Sequence, residues 1–118
     1  MNYYTYPGVK KDIMMEVVNG QKIADPEYVV KTVCDYFQIN ETEIAKKTRK
    51  REVVYKRKIA MYFLKKYTFQ TLKTIGERFG RRDHTTVIHS LSSLQDEMDT
   101  DERVSAEVSY IERKILCA

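Results

Sequence analysis

Apolar residues recur along most of the chain at helical spacing, and polar punctuation separates the runs. Val29, Val30, Val33, Tyr36 and Phe37 follow Asp25-Pro26. Aspartate accepts the free amides of a first helical turn, and proline gives up a donor that turn does not use. This pattern predicts a helix over about 26–37. Asn40 with Glu43 three residues on resembles a minimal capping box and predicts a one-turn helix over about 41–45, Ile44 inward. The segment 46–52, KKTRKRE, has no apolar member and reads as a basic loop. Periodicity resumes at Val54, Ile59, Met61, Tyr62, Phe63, Leu64 and Tyr67, which predicts a helix over about 53–67. It is apolar on more than one face, so it is expected at the centre.

Two further helices are expected close together. Leu72, Ile75 and Phe79 mark the first, and Gly80 stands where a helix ends in a left-handed residue. Asp83 is placed to cap the next, whose expected apolar stripe is Val87, Ile88, Leu91, Leu94 and Met98. A short helix, a glycine turn and a second helix with a polar start outline a helix-turn-helix. A last amphipathic helix over about 101–116 carries Val104, Val108, Ile111 and Ile115. The pattern therefore predicts an all-α helical bundle with a helix-turn-helix at residues 25–118. Residues 1–24 form an N-terminal extension: a tyrosine arm (Tyr3, Tyr4, Tyr6) ending at Pro7-Gly8, then a short helix or strand over 10–18 that stops at Asn19-Gly20.

Charge changes the picture more than composition does. The chain of 118 residues carries a formal net charge of +4, but residues 46–66 alone are net +9, between acidic flanks. Such a block points to one cationic surface and a polyanionic partner, most commonly a phosphate backbone, although a charge run is often only a solvated helix face. No stretch of eighteen apolar residues occurs, and the first residues do not read as a signal peptide. Cys34 and Cys117 are far apart and are expected to be reduced thiols in a cytoplasmic, nucleoid-associated protein.

The segment RRDHTTVIHS, residues 81–90, admits three chemistries: a helix cap, a metal or catalytic cluster, or a surface for DNA. His84 and His89 are five apart, about 140° around a helix, so they do not share a face as two zinc ligands do. No HExxH, GxSxG or phosphate loop occurs. No metal, cofactor or enzymatic activity is expected, and Glu107 and Glu112 are expected to be solvated rather than paired catalytic acids. In a helix-turn-helix the first residues of the second helix reach base edges. Here those are Asp83, His84, Thr85 and Thr86, with His89 one turn on. Threonine offers a methyl for thymine and a hydroxyl for either hydrogen-bond role, and aspartate accepts from cytosine. The basic loop could reach an adjacent minor groove, whose potential attracts arginine. By position, Lys47, Lys50, Arg51, Arg57 and Arg81 are expected at phosphates.

The stretches IAMYFLKKYT and LKTIGERFGRRDHTTVIHSL closely resemble the C-terminal DNA-binding domain of the bacterial replication initiator DnaA, over about residues 25–116. The resemblance implies a Trp-repressor-like helix-turn-helix that binds a short box in double-stranded DNA. It implies that Arg49 enters the minor groove and that Leu72, Lys73, Asp83, His84, Thr85, Thr86 and His89 lie at bases. It implies that Lys65 and Arg82 meet phosphates. The family's Pro-Arg-Gln is Lys56-Arg57-Lys58 here, its Leu-Pro-Glu-Ile-Gly is Leu72-Lys73-Thr74-Ile75-Gly76, and its Gly-Gly-Arg is Gly80-Arg81-Arg82. An altered box and stronger phosphate attraction are expected. An initiator also carries an ATPase module, so this chain is expected to read DNA without ATP hydrolysis, in replication control or transcription regulation. The alternative is an adaptor that holds DNA non-specifically and recruits a protein through its N-terminal arm.

Overall fold

The computed structural model describes residues 2–4, 15–18, 21–80 and 82–116. Three short strands come first, β1 (Asn2–Tyr4), β2 (Met15–Val18) and β3 (Gln21–Ile23). They pair antiparallel in the order β1-β2-β3, with Asn2 opposite Val17 and Glu16 opposite Ile23. Among the described residues six helices follow: α1 (Pro26–Phe37), α2 (Glu41–Ala45), α3 (Arg51–Tyr67), α4 (Leu72–Arg78), α5 (His84–Thr100) and α6 (Glu102–Leu116). Among the described residues, the part from 26 to 116 is all-α, as the periodicity predicts, and the strands lie N-terminal to it. The helix-or-strand alternative resolves as strand for residues 15–18. Residues 10–14, Asn19-Gly20, and Tyr6, Pro7 and Gly8 lie outside the described residues. So does Cys117, while Cys34 is a buried free thiol.

The helix starts are set by the expected caps. Asp25 Oδ1 accepts from Glu27 N at 3.1 Å, with Pro26 in the first turn. Asn40 Oδ1 accepts from Glu43 N at 2.7 Å. Helix α3 begins two residues earlier than predicted, so the basic loop is 46–50 and Arg51 is helical. The α3 residues Ile59, Ala60, Met61, Phe63 and Leu64 are all fully buried, which no single helix face could achieve. Helix α3 is therefore central, with α1, α2, α4 and α5 packed around it and α6 closing across α1 and α5. The sheet joins this body where Ala24 N donates to Tyr67 O at 2.6 Å.

Two acids expected in solvent are instead half-buried acceptors. Glu107 accepts from Tyr36 Oη at 3.0 Å and Tyr55 Oη at 2.6 Å. Glu112 accepts from Tyr67 Oη and from Lys66 Nζ, both at 2.5 Å. The apolar stripe of α6 turns these carboxylates toward tyrosines on α1 and α3, a pairing that sequence spacing does not reveal. Burial, and then the adjoining carboxylate, raises the Tyr55 and Tyr67 hydroxyls well above the usual tyrosine range.

Candidate nucleic-acid interface

Helix α4 is capped by Thr71, whose Oγ1 accepts from Thr74 N at 3.1 Å. This sets the exposed Lys73 and the half-buried Leu72 in the first turn. The turn then folds tightly over α4. Arg82 N donates to Gly76 O at 2.8 Å. A Cβ on Gly76 would lie 2.0 Å from Arg82 O, so only glycine permits this approach. Phe79 is buried as the anchor of the turn. Gly80 adopts φ +88°, the left-handed conformation expected at the end of the helix.

Asp83 caps α5: its Oδ1 accepts from Thr86 N at 2.9 Å. That amide bond holds the carboxyl below the usual aspartate range, so it stays ionised. The capped first turn presents His84, Thr85 and Thr86 to solvent, and His89 is exposed one turn on. Lys73, Glu77, Arg82, Asp83 and His84 line one hollow, so the starts of α4 and α5 form a shared surface. Exposed Lys47, Arg49 and Lys50 stand on the loop and Arg51 at the start of α3. Arg49 lines a second hollow with Lys58 and Glu97, the latter from α5. Lys65 is exposed beside a third hollow, lined also by Tyr62, Phe69 and Leu91. Arg81 lies outside the described residues. Among the described residues no three histidine, cysteine or acidic side chains cluster as metal ligands would.

Three expectations are corrected. Arg57, expected at a phosphate, is only 4% exposed. Its Nε donates to Ile44 O at 3.0 Å and its Nη2 to Lys46 O at 2.6 Å, so its fork is spent inside the protein. Lys58, expected to add phosphate attraction, instead donates to Ser93 Oγ at 2.8 Å and Glu97 Oε1 at 3.1 Å. Ile88, expected in the core stripe, is 46% exposed. The buried residues of α5 are Val87 and Leu94, and Ile88 stands about 100° round from Val87, off that face. Ile88 lies three and four residues from Thr85 and His84 and joins their face. Phe69, 68% exposed in the α3–α4 connection, had no signal in the periodicity.

The fold and this surface define a helix-turn-helix protein with a capped, polar second helix beside a cationic loop. The family model described as bacterial dnaA protein helix-turn-helix matches residues 26–93, and the chain belongs to that family. It is similar to the chromosomal replication initiator protein DnaA of Flavobacterium psychrophilum, 36% identical over 115 residues, covering 90% of this chain and 24% of that protein. That match takes in part of residues 1–24 as well. The DnaA of Zymomonas mobilis is 39% identical over 88 residues, 75% of this chain and 18% of that protein. The crystal structure of a DNA replication initiation factor superposes with TM-score 0.66 at 29% identity, over 77% of this chain and 29% of that one. The chain spans about a quarter or less of the length of the curated relatives it matches.

Proposed function

We propose that residues 25–118 bind double-stranded DNA sequence-specifically at a DnaA-box-like site. The N-terminus of α5 lies in the major groove. There Asp83, His84, Thr85, Thr86 and His89 meet base edges, joined by Leu72 and Lys73 from α4. The loop 46–50 follows into the adjacent minor groove with Arg49. Lys47, Lys50, Arg51, Lys65, Arg81 and Arg82 meet phosphates, which fix orientation without reading sequence. Such a reader serves control of replication initiation or regulation of transcription by occupying boxes, and the reading asks no nucleotide hydrolysis of these residues.

The observation that carries this reading is the exposed row His84, Thr85, Thr86 and His89 on a helix capped by Asp83, with an exposed cationic loop alongside. Family membership supports it independently. The test is a competition titration at moderate salt, with a box-containing duplex against a scrambled one. The box is expected to bind at least about tenfold more tightly, the discrimination of one or more base contacts. Equal affinity would remove sequence specificity and leave only phosphate attraction.

A further inference from the structure

The helix-turn-helix turn and the stem of the basic loop meet at one backbone oxygen. Lys46 O accepts from Arg57 Nη2 at 2.6 Å and from Arg82 Nη2 at 3.3 Å. Arg57 comes from α3, Arg82 from the turn, and Lys46 opens the loop that carries Arg49. The backbones also pass close to one another, since a Cβ added at Gly80 would lie 2.8 Å from Ala45 O. Arg57 is buried and forms no ion pair with a described residue. Burial, and then the Arg82 guanidinium, brings its pKa down to about 10. Arg82 Nε is itself buried without a hydrogen-bond partner among the described residues. Two like charges on one carbonyl, one deeply desolvated, are a costly arrangement. What it achieves is geometric. A planar fork can bridge the Ile44 and Lys46 carbonyls at once, which a lysine ammonium on a flexible stem does not do.

We propose that Arg57 is a positioning residue for specificity: through the Lys46 carbonyl it shares with Arg82, it fixes the spacing between the loop and the N-terminus of α5. This rests on the reading of the chain as a two-groove reader. DNA that engages both elements must then present minor and major groove at one separation. Loosening the clasp costs discrimination, because a small misplacement loses contacts that need both elements at once. It leaves the phosphate-facing lysines, and so the salt dependence, as they were.

The test uses the full chain with Arg57→Gln and Arg57→Lys. With Arg57→Gln, box affinity is expected to fall about tenfold or more while scrambled duplex binds within about twofold and the salt slope is unchanged. Arg57→Lys should fall between wild type and Arg57→Gln. On an Arg49→Ala background Arg57→Gln should cost markedly less, because the group it positions is gone. A second readout needs no DNA: amide exchange at Thr48, which donates to Lys46 O at 2.9 Å, should rise about tenfold while α6 is unaffected. Equal loss on both duplexes with a slope lower by about one would make Arg57 a phosphate contact and overturn the proposal. Unchanged exchange at Thr48 would overturn it too, even if the wild type did not discriminate, an outcome that sinks the proposed function instead. Should Arg57→Gln not fold, Arg57→Lys decides: full box discrimination with wild-type exchange would reject the clasp.

Discussion

Where α3 and α1 meet α6, polar groups satisfy one another: Tyr36 and Tyr55 converge on Glu107, and Tyr67 and Lys66 on Glu112. Around the loop and the start of α5, Arg49, His84, Thr85, Thr86 and His89 stand exposed. The same contrast divides the basic block. Arg57, Lys58 and Lys66 are spent on internal acceptors, whereas Lys47, Arg49, Lys50, Arg51 and Lys65 are exposed and form no ion pair with a described residue. Net charge thus overstates the binding surface. The cations left for a partner are those that no described internal acceptor has taken, and four of the five lie within residues 47–51.

Five substitutions probe this contrast. Gly76→Ala should have the largest effect, because its methyl meets the Arg82 carbonyl at 2.0 Å and the turn must open. Denaturant titration should show a loss of about 3 kcal/mol, and box binding should fall with it. Next, Arg49→Ala and Thr86→Ala should each lower the box-to-scrambled preference by about 1–3 kcal/mol while leaving the melting temperature nearly unchanged. If Thr86→Ala weakens both duplexes equally, Thr86 does not read bases.

Tyr55→Phe should do the reverse. Removing one of the two donors to Glu107 should cost about 1–2 kcal/mol of stability and leave discrimination intact. It should also change the alkaline limb. Tyr36, Tyr55 and Tyr67 are raised in the folded protein, so above about pH 10 the unfolded chain loses its tyrosine protons first. Cys34, pushed by burial up to about 11, acts in the same direction from about pH 9. Stability should therefore fall as pH rises through this range, and less steeply in Tyr55→Phe. The smallest effect is expected from Lys65→Ala: all duplexes bind slightly less tightly, and the slope of log affinity against log salt drops by about one.

The helices were legible because their ends are written locally. Asp25-Pro26, Asn40 with Glu43, Gly80 and Asp83 each act within a few residues, and each makes the predicted cap or turn. The core of α3 was legible because apolar residues on more than one of its faces place it at the centre. What the sequence did not disclose depends on packing between distant segments. Nothing near Arg57 says that it will reach back to Ile44 and Lys46. Nothing near Glu107 says that two tyrosines from other helices await it. Ile88 was misplaced for a local reason, since it fits the spacing of a core stripe that Val87 already fills. The strands of the extension are three or four residues long, too short for a period of two to stand out.

If the proposed reading holds, DNA meets the exposed loop and the start of α5 and leaves the face of α6 untouched. Amide chemical shifts followed residue by residue while a box duplex is added test it most directly. Large shifts are expected at Arg49, Lys73, His84, Thr85, Thr86 and His89, with the amides of Glu107 and Glu112 almost unmoved. Shifts concentrated on α6, with the loop and the start of α5 silent, would contradict it.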